Sequence, residues 1–364
     1  TAYQYNTNTR KRLLTYPGGK QIEETYDQRG RLDRIHDMAL PGTPLSAFEY
    51  DPGNRLLRKV FQNNTNTEYA YDLNSNVLQI NHMLSSLVRY EYAYDNNDNK
   101  LYEKNNYQPT KSNQYLYDVY NRLTRFKKGT LSGVNIPAPS EDIQYNLDAV
   151  HNRQTVQATA GTTTYTTNNL NQYTMLSGGV TATLNYDNNG NLLSDGAQSY
   201  TYDYENRLVT VNNGATGKYF YDALGRRILK IAGTDSTFYF YAQLRFVRER
   251  TASTGLVSAS YVYGAGLDEV LVMERGGQRY FYHTNALGSV TQVTNAAGTI
   301  VEQYEYDSYG KVSMFNGVYV PISVSAIGNT CLFTGQRYDA ESGLYFYKSR
   351  YYSAVLGRFL LSDP

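Results

Sequence analysis

A seven-residue spelling, Tyr-Asp-x-x-(Gly/Asn)-(Arg/Asn)-Leu, recurs along the chain. It appears as Tyr26-Asp27-Gln28-Arg29-Gly30-Arg31-Leu32 and as Tyr50-Asp51-Pro52-Gly53-Asn54-Arg55-Leu56. Further copies begin at Tyr117-Asp118, at Tyr186-Asp187 with Gly190, at Tyr202-Asp203 and at Tyr221-Asp222 with Gly225. Weaker copies start at Tyr71 and Tyr94, and degenerate ones at Tyr145 and Tyr306. From Tyr26 to Tyr117 the starts lie 24, 21, 23 and 23 residues apart, and from Tyr186 to Tyr221 they lie 16 and 19 apart. A unit of that length holds two short strands and two turns, so the chain is an array rather than a single irregular fold.

The chemistry of the unit accounts for its spelling. Upstream of the aspartates, rings sit at alternate positions, as in Tyr90, Tyr92 and Tyr94 or Tyr200, Tyr202 and Tyr204, which puts an aromatic row on one face of a strand. The aspartate ends the strand because its carboxylate accepts backbone N–H groups two residues on, and the Gly or Asn that follows tolerates a left-handed backbone. Arg-Leu then opens the next strand, again alternating, as in Arg55-Leu56-Leu57-Arg58-Lys59-Val60-Phe61. Strands joined by short turns pair antiparallel, and many hairpins in series make one long sheet that must twist and curl around an inside. Each unit buries its apolar face only against neighbours, so stability is expected to grow along the array.

Composition agrees with β structure: there are 39 Tyr and no Trp, and Tyr suits a surface buried on one side and wet on the other. With 34 basic and 33 acidic residues, the whole chain shows no electrostatic footprint for nucleic acid or an anionic membrane. Cys331 stands alone, which excludes an intrachain disulfide framework and a cysteine-based zinc site. The longest aliphatic run, Val270 to Met273, is far too short to span a bilayer. Thr1 stands where an initiator Met would, and no charged-then-apolar leader comes after it, so the chain reads as an internal fragment or a processed product, with room for a signal peptide upstream.

Other constellations have a plainer reading. The histidines His36, His82, His151 and His283 lie in no Gly-x-Ser-x-Gly elbow or His-Glu-x-x-His helix, and no Gly-rich phosphate loop precedes a credible helix. They read as structural, and no cofactor or metal is expected. The tyrosine rows read as cross-strand packing rather than stacking platforms, because nearly every unit contributes one. Arg31, Arg55, Arg122 and Arg207 have aspartates within their own units, Asp27, Asp51, Asp118 and Asp203, and an intra-turn ion pair is expected. Gly129 to Ser140 and Gly317 to Asn329 read as loops, and Thr155 to Thr167 as a polar hairpin.

The repeated unit resembles the YD repeat of the RHS family. Near the C-terminus a more specific string, Thr334-Gly335-Gln336-Arg337-Tyr338-Asp339-Ala340-Glu341-Ser342-Gly343-Leu344-Tyr345-Phe346-Tyr347-Lys348-Ser349-Arg350-Tyr351-Tyr352, resembles the RHS-repeat-associated core domain. Leu356-Gly357-Arg358-Phe359, running on to Asp363-Pro364, continues the likeness, and Tyr282 to Ser289 resembles the opening of that module. The resemblance implies an all-β chain in which residues 1–259 form a YD-repeat hairpin array and residues 260–364 a core domain that closes one end of a hollow, cocoon-like shell.

In bacterial polymorphic toxins and the C subunits of insecticidal toxin complexes, such shells hold a C-terminal effector that self-cleavage releases. Teneurin adhesion proteins are more distant members. The function implied is thus a non-enzymatic bacterial shell, secreted or at the cell surface, that encloses a toxin polypeptide in cis and meets a delivery machine or copies of itself. The alternative is a structural, filament-forming or adhesive protein, with surface glycans among its partners. Asp363 occupies the family's Asp-Pro position and is carried over as half of a self-cleavage site. The chain departs from the pattern at Ser353-Ala354, where Asp-Pro is usual, and at Ser362, where Arg is common. Without a second carboxylate, an acid/base pair is incomplete.

Overall fold

The computed structural model describes residues 1–361. It is almost wholly β: helix is confined to short 3-10 turns at Pro109–Lys111, Asn212–Gly214 and Phe333–Gly335. Among the described residues no helix is long and apolar enough to cross a membrane. Contacts divide the chain into two units, one of residues 1–69, 81–87 and 214–358, the other of residues 70–80, 88–213 and 359–364.

The YD turn is the element from which both units are made. In the first, the Asp27 carboxylate accepts the backbone N–H of Arg29 at 2.8 Å and of Arg31 at 3.0 Å. Gly30 N donates to the Asp27 carbonyl at 3.1 Å, and Asp27 N to the Arg31 carbonyl at 2.9 Å. That pattern is a tight turn closed by a left-handed residue, Gly30 at φ 76°, after which the ladder register slips by one residue. Gly190 and Gly225 fill the same slot at φ 83° and 73°, while Asn54, Asn121 and Asn206 fill it at 60–68°. Arg31, Arg55, Arg122 and Arg207 each reach their own turn's aspartate at 2.7 Å. Hydrogen bonds from Arg55 hold the Asp51 carboxyl below the usual carboxylate range.

Two further bonds join one repeat to the next. The Tyr50 hydroxyl donates to the Leu32 carbonyl at 2.9 Å, Tyr117 to Lys100 at 3.1 Å, and Tyr202 to Leu192 at 2.8 Å. The carbonyl lies at or beside the strand-opening position of the preceding hairpin, so the motif demands Tyr where Phe would pack equally well. Turns also bond sideways: Arg31 donates to Asn54 Oδ1, Asn76 to Asp98, Asn99 to Asn121, and Asn191 to Asn206, at 2.7–3.1 Å. An Asn in the left-handed slot therefore does two things, tolerating the backbone and accepting from the turn before it. Replacing Tyr50 by Phe strands the carbonyl of buried Leu32 and is expected to cost about 0.5–1.5 kcal/mol, read from the urea midpoint.

Several turns depart from the spelling. The copy expected at Tyr145 is built on Asp148, which accepts the N–H of Val150 and Asn152, so Leu147 takes the tyrosine's place and His151, at φ 72°, the left-handed slot. Asn168, Asn285, Asn295 and Asn316 make the same turn with an amide oxygen, each accepting the N–H groups two and four residues on. Residues 153–158 and 161–167 pair as the expected polar hairpin.

In the first unit, the strands from Ala2–Asn6 onward pair in chain order, as do those from Gly217–Tyr221 to Pro321–Ile322. Leu14, Ile22, Ile35 and Phe61 pack against Val262, Leu271, Val272 and Phe281. Tyr261, Met273, Tyr282 and Tyr304 bury against Leu332 and Tyr345. The middle strands are thus covered on both faces, which is why Val270–Met273 reads as an unbroken apolar run instead of alternating. In the second unit, hairpins from Leu87–Tyr94 to Tyr173–Gly178 bury Tyr90, Tyr92, Phe126, Tyr145, Tyr173 and Leu176.

Candidate functional site

The feature of the first unit that exceeds simple hairpin packing is the seating of the C-terminal string. Residues Arg337–Asp339, Leu344–Tyr347 and Arg350–Ser353 form a small antiparallel sheet of their own. The turn between the first two is closed by Gly343 N donating to the Asp339 carbonyl at 2.9 Å, with Gly343 at φ 70°. Tyr338 packs its ring against Tyr345 at 4.9 Å, and Arg350 faces Tyr347 across the second hairpin. Gly357 N donates to the Ser353 carbonyl at 2.8 Å, and Arg358 and Phe359 form a half-buried two-residue strand.

Alternation along Arg337-Tyr338-Asp339 sends the two charged side chains to one side. Asp339, 1% exposed, meets Arg227, 0% exposed, in a two-pronged pair. Lys230 Nζ adds a bond to the same carboxylate at 2.9 Å and reaches Glu341 at 2.9 Å. The Tyr351 hydroxyl takes a further Arg227 N–H at 3.0 Å. The guanidinium lies among the rings of Tyr219, Tyr239, Phe346 and Tyr351, 4.3–5.9 Å from their centroids.

Two residues back, Arg337 pairs with buried Glu249 and reaches Thr330 Oγ1 at 2.9 Å. Glu249 also takes Arg275 at 2.7 Å and the Tyr261 hydroxyl at 2.9 Å. The string thus offers one fully buried cation, Arg337, and one fully buried anion, Asp339, and the hairpins answer each with its opposite, a complementarity that sets register as well as affinity.

Electrostatics follow from the geometry. Burial alone would raise both carboxyls, but the Arg227 and Lys230 charges outweigh it and hold Asp339 below the usual range. Arg337 and Arg275 do the same for Glu249, down to about 2. Both carboxylates are therefore ionised wherever the protein is folded at ordinary pH. The site is a lock: each buried carboxylate is held by two cations, Asp339 by Arg227 and Lys230 and Glu249 by Arg337 and Arg275.

Elsewhere in this unit, His82 and His283 meet edge to face with ring centroids 5.3 Å apart. A cleft of about 540 Å³ is lined by Tyr3, Tyr16, Tyr26 and Tyr50 with Arg12, Glu24 and Arg245.

Of the residues singled out from sequence, Tyr338, Asp339, Gly343, Arg350 and Tyr351 come together in the lock. Tyr26, Asp27, Gly30, Tyr50, Asp51, Tyr117, Asp118, Tyr186, Asp187, Gly190, Tyr202, Asp203, Tyr221, Asp222 and Gly225 lie in the YD turns. Asp363, expected as a self-cleavage half-site, lies outside the described residues. Arg227 and Glu249 escaped the sequence reading as partners. The one signal was Arg227 itself, an arginine in the inward slot where the repeat calls for Leu.

Comparison with known proteins places this architecture. A family model described as the teneurin YD-shell matches residues 128–364. The tRNA3(Ser)-specific nuclease WapA of Bacillus spizizenii is 34% identical over 231 residues, which are 61% of this chain and 10% of that protein. The double-stranded DNA deaminase toxin A of Burkholderia cenocepacia is 29% identical over 220 residues, 49% of this chain and 15% of that protein. In the crystal structure of TcdB2-TccC3 with Cdc42, a chain superimposes with a TM-score of 0.75 at 21% identity, over 97% of this chain and 20% of that one. The chain thus spans a small part of the length of the proteins it matches, and the likeness to TccC3 is one of fold. With the model covering more than half of its residues, the chain belongs to the teneurin YD-shell family.

Proposed function

We propose that this chain is shell wall from a larger toxin-bearing protein, and that it encloses a polypeptide lying C-terminal to it. The observation that carries the reading is the lock: buried ion pairs fasten the C-terminal string to the YD hairpins, the fixture needed if a polypeptide beyond the string is to be retained rather than trailed. The names of the relatives, tRNA nucleases and a DNA deaminase toxin, fit a parent whose activity resides in another segment. In this reading residues 260–364 close the shell, the wall does no chemistry, and Asp363 contributes to release of the cargo. Placement outside the cell, or at its surface with a delivery complex, belongs to the same proposal.

The test is protease protection in the parent protein. Under native conditions the segment after Pro364 should resist digestion, and intact mass should show it retained even when the chain is cut near Asp363. Digestion of that segment as fast in native as in denatured protein would sink encapsulation and favour an adhesive or structural role.

A further inference from the structure

The turn Tyr16-Pro17-Gly18-Gly19-Lys20 in the first unit is met by two arginines from one strand, Arg245–Thr251. Arg248 is buried; its Nη1 donates to the Pro17 carbonyl and its Nε reaches Ser260 Oγ at 3.3 Å. Arg250 comes to the same place. A first side-chain carbon built on Gly18 would overlap Arg248 Nη1 and lie 3.1 Å from Arg250 Nη2, so both guanidiniums converge on this glycine, itself at φ +88°.

Two like charges held together need an explanation. The buried guanidiniums of the lock face carboxylates, Arg227 with Asp339 and Arg337 with Glu249, whereas Arg245, like Arg248, is held by backbone carbonyls. Among the described residues no carboxylate pairs with Arg248 or Arg250, and the nearby Glu274 already serves Lys20 and Arg279. Arg250 Nε is buried without a partner, and so is Ser258 Oγ. Ser258 is the extra residue where the ladder opposite Arg250 slips register. Burial, then the Arg250 charge, hold Arg248 below the ordinary guanidinium range. The place is rich in donors and short of acceptors, and Gly18 and Gly19 are exposed, leaving it open to solution.

We propose that Arg248, Arg250 and Ser258 form a site for a tetrahedral oxyanion, phosphate or sulfate, taken free or as a monoester. Planar guanidinium forks match the paired oxygens of such an ion, and a multiply charged anion relieves the repulsion between them. The missing side chain of Gly18 is what lets the Arg248 guanidinium come this close to the turn, with Arg250 beside it.

The site is tested by titrating the 364-residue chain with inorganic phosphate, sulfate and glycerol phosphate, at ionic strength held constant with KCl, by calorimetry and thermal melting. Saturable phosphate binding is expected, weakened about tenfold or more in Arg250→Met and by a smaller factor in Ser258→Ala. Arg250→Met should melt in KCl close to the wild-type temperature, since the lost contact with the Phe240 ring is offset by removal of a like charge, so lost binding there is not lost folding. Glycerol phosphate binding as well as phosphate assigns the site to a monoester end, and weaker binding assigns it to the free ion. No saturable phosphate binding by wild type, or an equal phosphate response in wild type and Arg250→Met, overturns the proposal.

Discussion

Replacing Asp339 with alanine is expected to lower the unfolding free energy by about 3–5 kcal/mol, the cost of leaving a buried charge without its counter-ion. Arg227 is wholly buried among aromatic rings, and with Asp339 gone its remaining polar contacts are neutral ones such as the Tyr351 hydroxyl. Arg227→Met should cost less, because Asp339 keeps Lys230. Combining the two should restore part of the loss, since Lys230 then has Glu341 and no orphaned guanidinium is left. Urea titration of the four proteins closes the cycle. A loss under about 1 kcal/mol for Asp339→Ala would mean that this pair adds little and that the string is held by Arg337 with Glu249 and by its rings.

The chain should also lose stability steeply between pH 7 and pH 5. His82 and His283 are buried together against Phe61, with Thr67 Oγ1 2.9 Å from His82 Nδ1 and Thr294 Oγ1 3.1 Å from His283 Nε2. Burial, then the charge of Lys59, push His82 down to about 3; burial, then His82 and Lys59, push His283 down as well. Lys59 is itself paired with Glu269, and among the described residues no carboxylate acts on either histidine to favour its protonation.

The unfolded imidazoles take protons below their ordinary value of 6.5, while the folded ones refuse them. Stability is therefore complete above that value and drains away as the pH falls toward about 3, at roughly 1.4 kcal/mol per pH unit for each histidine. Glu249 acts in the same direction but only between 4.5 and about 2, so the upper window isolates the histidines. Melting temperatures of wild type and a His82→Gln, His283→Gln double variant at pH 7, 6 and 5 should diverge, the variant falling less. Parallel curves would show that the pair does not govern acid sensitivity.

Legibility from sequence tracked the range of the interaction. The YD turn was readable because Asp27, Gly30 and Arg31 bond to one another within five residues. The same turn built on Asn168, Asn285, Asn295 or Asn316 was not, because an amide oxygen accepts the same two N–H groups under a different letter. At Asp148 the tyrosine spelling pointed two residues too early. The lock was unreadable for a different reason: Arg227 and Asp339 lie 112 residues apart, and nothing local in either says which partner it takes. The core string was legible as a resemblance, whereas its seating on Arg227 and Glu249 required coordinates.

The sideways bonds between turns bear on how such chains change length. Where the left-handed slot holds Asn or Asp, a joint asks little of its neighbours: one donor at the end of a turn, one acceptor in that slot of the next. A hairpin that meets both terms can be spliced beside any other, so whole units can be gained, lost or traded between genes without redesigning those that remain. The lock has no such tolerance, since Arg227 and Glu249 must arrive together at fixed spacing. Recombination should therefore be free along the array and silent across the segment that carries the two.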